Sequence, residues 1–141
     1  VLIPLISTIE RVSADGAMVT RFMMREIRPW SPCWIVATGE GRLVVGDAKN
    51  DRVLLLDSLA RRVASWPLVR VRDQVGCARP EKGWLLMDKE ERTISWYGRE
   101  GVYEGTQRLP RRYEAVVMPE EERLWLFDTG AWVWHEYRAI E

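Results

Sequence analysis

RLVVGD (Arg42–Asp47), GWLLMD (Gly83–Asp88) and RLWLFD (Arg123–Asp128) are the three stretches that decide the fold. Their aspartates stand 41 and 40 residues apart. A largely apolar run of four residues precedes each aspartate. A short turn and a second β-rich run follow, as AKNDRVLLLD, KEERTISWYG and TGAWVWHEYR. Self-similarity at a fixed period of this size is the signature of a propeller or a solenoid.

Working outward, the punctuation within each period suits four short antiparallel strands. In the second unit these are CWIVAT, RLVVGD, RVLLLD and RRVASW, separated by Gly-rich or charged turns. In the third, VGCAR, WLLMD, RTISWY and VYEGTQRL repeat the plan. Strands of this length rich in Val, Leu, Trp and Tyr, bounded by Gly, Pro and charged residues, exclude a helical reading, in which apolar residues would recur at three and four. VLLL and WLLM are apolar on both sides of the pleat, so each needs cover on both faces, as central strands of stacked sheets have. The aspartate closing each second strand is placed to accept hydrogen bonds from turn N–H groups, a structural role.

The pattern D-x4-R-[VI] in GDAKNDRV, with relatives DKEERTI and ERVSADG, resembles NHL-type β-propeller repeats over about 130 residues. The resemblance implies propeller-type blades, of which complete propellers of that family have about six; aligning the units outward gives an all-β fold of about three and a half four-stranded propeller-type blades. The expected organisation is a single domain, 1–141, with a partial unit at 1–28, units at 29–72 and 73–110, and a partial unit at 111–141. TIERVSADGAMVTRF (Thr8–Phe22) aligns with the third and fourth strands of a unit, leaving VLIPLIS unassigned. The last unit supplies strands one to three. The expected order is two strands, two full blades and three strands, too few to close a ring, so the terminal sheets call for cover. Trp125, Phe127, Trp132, Trp134 and Tyr137 crowd the last one, and the strand Trp132–Arg138 is expected to present Trp132 and Trp134 on one face and Val133, His135 and Tyr137 on the other.

The 21 basic and 21 acidic residues cancel, which removes any bulk attraction to nucleic acid or an acidic membrane. The charges are 18 Arg against 3 Lys, with a single Asn and two Gln, a balance expected of a thermophile, although GC-rich coding also favours Arg over Lys. Cys33 and Cys77 read as buried, reduced thiols of a cytoplasmic protein, and no apolar run is long enough to span a membrane. His135 is the only histidine, and neither a catalytic motif nor a metal-ligand cluster is present, so no cofactor, metal or enzymatic activity is expected. TGEG with Gly46 lies in a strand-to-strand turn, not at a helix, and is not a nucleotide loop.

Connections between units carry Arg70, Arg72, Arg108, Arg111 and Arg112, while first-to-second strand turns carry Glu40, Glu81, Glu120, Glu121 and Glu122. The candidate partner-binding residues are Arg70, Arg72, Arg111 and Arg112 of this basic set, with Trp132, Trp134 and Tyr137 of the last unit. The expectation is a non-enzymatic protein-interaction module whose partner is another protein or a second copy, with nucleic acid not a direct ligand. The alternative is a half-propeller that dimerises into a ring binding a ligand or RNA. In size and composition the chain also looks like small regulatory proteins of thermophilic phages, which implies docking on host RNA polymerase or sigma factor.

Overall fold

The structure, a computed structural model, describes residues 2–5, 8–24, 29–38 and 41–138. The described residues are organised as four antiparallel sheets in which sequence neighbours pair. Contacts divide the chain into two compact units, Val1–Arg72 and Asp73–Glu141. The first holds β1 (Leu2–Leu5), β2 (Thr8–Val12) and β3 (Met18–Met23), then β4 (Pro32–Ala37), β5 (Leu43–Asp47), β6 (Arg52–Leu56) and β7 (Arg62–Pro67). The second holds β8 (Gln74–Arg79), β9 (Gly83–Asp88), β10 (Thr93–Gly98) and β11 (Tyr103–Arg108), then β12 (Ala115–Glu120), β13 (Arg123–Asp128) and β14 (Val133–Arg138). The fold is all-β, of propeller-type blades.

The hydrophobic runs do what their lack of alternation demands. β5 and β9 are buried at every position, and β6 from Val53 to Leu56. In the first unit Ile9, Met24 and Trp30 pack with Leu43, Val45, Leu54, Leu56 and Ala60. In the second, Leu85, Met87 and Ile94 of the third sheet pack against Val116, Leu124 and Leu126 of the fourth, with Leu109 and Tyr113 between them in sequence. β13 differs from β5 and β9: Leu124, Leu126 and Asp128 are buried while Arg123, Trp125 and Phe127 are only half-buried. One of its faces is core and the other is not.

The repeated aspartates are turn acceptors. Asp47 takes the N–H of Ser31 (2.8 Å) and of Lys49 (3.2 Å), Asn50 Nδ2 (2.7 Å) and Arg52 Nε (2.8 Å). Asp88 takes the N–H groups of Glu90 and Glu91, and Asp128 those of Gly130 and Ala131. The fourth residue after each aspartate has left-handed backbone: Asp51 (φ 46°), Arg92 (φ 57°) and Trp132 (φ 55°). Two residues of opposite polarity and one indole share one strained position.

Three expectations need correction. Leu2–Leu5 of the unassigned VLIPLIS is a strand: β1 pairs antiparallel with β2, so the first sheet has three strands rather than two. Cys33 is exposed, because the pairing of β4 with β5 slips between Pro32 and Trp34 and leaves it outside the ladder; Cys77 is half-buried, and both thiols are free. The last strand begins at Val133, and Trp132 belongs to the turn before it. Glu40 lies outside the described residues.

Candidate functional site

The sheet β12–β14 has two chemically distinct faces, fixed by its register. Leu124 stands opposite Tyr137 and Leu126 opposite His135. Tyr137 packs on the core cluster, and its Oη lies 2.6 Å from that of Tyr113. Tyr113 Oη also meets His135 Nδ1 at 3.0 Å. Burial, then the Tyr137 hydrogen bond, pushes the Tyr113 phenol up to about 12. His135 and Tyr137 therefore serve an internal polar cluster, so Tyr137 is not on the face that carries the exposed tryptophans.

The opposite face holds Val117 across from Trp125, and Phe127 across from Trp134. Trp134 is 45% exposed and Val117 46%, and Trp132 at the turn is 79% exposed. The rings form one group. Phe127 stands 4.9 Å from Trp134 and 6.0 Å, edge-on, from Trp132. Charged residues border it: Arg123 lies 5.9 Å from the Trp125 ring and pairs with Glu136 at 2.8 Å, and Arg138 reaches Glu136 at 3.5 Å. Clustered exposed rings with a charged rim are what interfaces are made of, and a monomer rarely leaves such a patch bare. The sequence flagged Trp132 and Trp134, but not the strained backbone at Trp132. Its signal was present in the alignment, where Trp132 falls on Asp51 and Arg92.

The four arginines behave differently. Arg70, itself left-handed (φ 58°), and Arg72 are exposed in the first unit. In the second, Arg111 Nη1 lies 3.1 Å from Asp128, and Arg112 pairs with Glu114 (2.7 Å) and with Glu90. The Arg111 hydrogen bond holds the Asp128 carboxyl below its ordinary value, and that from Arg112 does the same for Glu114. These two arginines are thus already matched by carboxylates of their own unit.

A groove of about 520 Å³ also opens in the second unit, with Trp96, Met118, Leu124 and Tyr137 at its wall and Arg79 and Arg108 among its cations. Arg79 lies 5.0 Å from the Trp96 ring and bonds Glu104 Oε2 at 2.6 Å, while its buried Nε has no hydrogen-bond partner among the described residues. Among the described residues no group of three His, Cys, Asp or Glu side chains is placed to hold a metal ion, and no helix is long and apolar enough to cross a membrane.

No family model matches the chain, and no curated relative does. Solved structures do. The chain is similar to a streptogramin B lyase structure at 13% identity and a TM-score of 0.61, covering 96% of this chain and 49% of that one. It is similar to BBS1N in its complex with ARL6DN at 15% identity and a TM-score of 0.66, covering 94% and 43%. BamB from Moraxella catarrhalis matches at 10% identity and a TM-score of 0.57, covering 97% and 47%. The chain spans about half the length of the solved structures it matches. At such identity the likeness is one of fold, and it supports propeller-type blades.

Proposed function

We propose that this chain is a non-enzymatic protein-interaction module that docks through the outer face of β12–β14. The cluster of exposed rings carries the reading: Trp132 is 79% exposed and Trp134 45%, and both rings stand against Phe127. The left-handed backbone at Trp132 is the geometry of the turn, shared by Asp51 and Arg92, and is no sign of binding. Phe127, Trp134 and Val117 extend the surface, and Arg123, Glu136 and Arg138 supply a rim that fixes orientation. One of the structures of similar fold is a protein solved in complex with another, BBS1N with ARL6DN, while another is titled as a lyase, so the fold itself serves both kinds of work.

Arg111 and Arg112 are engaged by carboxylates, which argues against a phosphate-binding role and keeps nucleic acid out of the proposal. The narrower reading, docking on RNA polymerase in the manner of small phage regulators, draws on size, composition and the partial propeller. A second reading, ligand binding, is favoured by the groove beside Trp96 with its unmatched Arg79 Nε. The test is paired affinity purification from the source cell of the unaltered chain and of Trp134→Glu, with circular dichroism verifying that both are folded. A protein recovered stoichiometrically with the first and lost with the second supports docking by this face, and polymerase subunits in that band would support the narrower reading. Equal recovery by both refutes the face.

A further inference from the structure

Arg79, the last residue of β8, is held in a way that the fold does not explain. Its side chain is only 13% exposed. Nη1 donates to the Tyr97 carbonyl at 3.1 Å and to Glu104 Oε2 at 2.6 Å, and the guanidinium lies 5.0 Å from the centre of the Trp96 ring. Nε is buried and has no hydrogen-bond partner among the described residues. A buried donor left unmet is rare in a folded chain. A guanidinium offers its donors as a planar fork, and a carboxylate takes two of them at once along one edge. Since the protein engages Nη1, the edge left for such a pairing is Nε with Nη2.

Arg79 lines the groove of about 520 Å³ in the second unit, a volume within the roughly 300–1,000 Å³ of small-molecule sites. Trp96 of β10, Met118 of β12 and Leu124 of β13 give it apolar walls. Arg79, Trp96, Tyr97 and Glu104 belong to the four-stranded sheet β8–β11, so the polar end of the groove is built inside the chain. Most charges on the lining are already matched: Lys82 by Glu121, Arg138 by Glu136 and Arg79 Nη1 by Glu104. Glu122, exposed in the turn between β12 and β13, forms no ion pair among the described residues and does not pair with Arg79. Arg108 is unpaired too, but it is exposed and met by water. Gln107 adds a side-chain amide to the same lining.

We infer that this groove takes a short apolar peptide with free termini. The terminal carboxylate lies on the Nε–Nη2 edge of Arg79, the terminal ammonium meets Glu122, and the side chains lie along Trp96, Met118 and Leu124. An unmet guanidinium edge and an unmatched carboxylate on one apolar groove call for a ligand that carries both signs around an apolar body. The inference deepens the ligand-binding reading of this groove and does not need the docking face.

A titration followed by heteronuclear NMR of the isotope-labelled chain reads the arginine Nε–H and tryptophan Nε1–H signals directly. The probes are the dipeptide Leu-Phe, its N-acetyl form, its C-terminal amide and phenylacetate. Leu-Phe should move the Arg79 Nε–H and Trp96 signals with a Kd of about 1 mM or tighter. The acetyl and amide forms should each bind at least about tenfold more weakly, because each loses one charge-assisted contact. Arg79→Lys, which keeps the charge but removes the edge, should erase the penalty of the amide form. Glu122→Gln should erase that of the acetyl form, and as a change at an exposed turn residue it decides the matter should Arg79→Lys not fold. Equal binding of all three dipeptides, or penalties that persist in folded Glu122→Gln, overturns the inference. Shifts with phenylacetate and none with the dipeptides overturn the peptide and keep the groove as a ligand site. Silence at Arg79 and Trp96 with all four probes removes both.

Discussion

Leu126→Ala and Phe127→Ala, one residue apart on β13, should have unequal effects on stability. Leu126 is fully buried and belongs to the cluster with Leu85, Met87, Ile94, Leu124 and Tyr113. Removing three carbons there forfeits about 2.4 kcal/mol at about 0.8 kcal/mol per buried carbon, and the residual cavity brings the loss to about 3–4 kcal/mol. If all 141 residues unfold together, an unfolding entropy of about 2.1 cal/mol/K per residue makes each kcal/mol worth about 3.4 °C, so Tm falls by roughly 10–14 °C. Should the second unit unfold alone, the drop is about twice that. Phe127 points to the other face, and its alanine variant loses mainly ring contacts with Trp132 and Trp134, about 1–1.5 kcal/mol. Melting curves by circular dichroism measure both. A Leu126→Ala drop under about 3 °C, or a larger loss for Phe127→Ala, would show that the pleat of β13 is assigned the wrong way round.

Three further outcomes follow from the same geometry. Trp132→Asn places a residue tolerant of left-handed backbone at φ 55°. It should leave Tm unchanged or raise it while weakening docking at least tenfold, read by thermal denaturation beside a binding measurement. Gly46→Ala should destabilise by about 1–3 kcal/mol in a denaturant titration, because a Cβ there overlaps the Trp34 indole, with Nε1 2.6 Å away. For Asp47, burial alone would raise the pKa, but hydrogen bonds from Ser31, Asn50 and Arg52 outweigh it and hold the value below 3.8. Its stabilisation is thus present above about pH 4 and lost as pH falls through the folded value. Asp47→Asn should lower Tm at pH 7 and flatten the decline of Tm between pH 5 and pH 3.

The fold was legible because the apolar runs answer a geometric question directly. VLLL in β6 and WLLM in β9 do not alternate, and both are buried on both faces. The aspartate period located the turns, since a carboxylate four residues before a left-handed position is a local hydrogen-bonding device that sequence alone specifies. Leu2–Leu5 escaped because its neighbour pattern lacks the aspartate that marks the other second strands. Cys33 escaped because a slip of one residue in β4 reverses a side chain without leaving a trace in composition. The site was legible in part. Clustered aromatics pointed to the last sheet, and period-two alternation separates Trp134 from His135 and Tyr137 as the structure has them. What alternation does not say is which face is the core, which the contact of Tyr137 with Tyr113 decides. The arginines were visible as a set, but the pairing of Arg112 with Glu90, 22 residues away, is a matter of tertiary structure.

Photo-crosslinking from position 134 measures the central claim most directly. A benzophenone amino acid replaces Trp134 in one version of the chain and Val63 in another, and each is irradiated in the source cell. Position 134 should yield a discrete protein adduct, a covalent dimer of this chain if the partner is a second copy, while position 63 yields none. An equal or absent adduct at both positions, with the 134 version folded, would mean that the aromatic face of β12–β14 is not where this protein meets another.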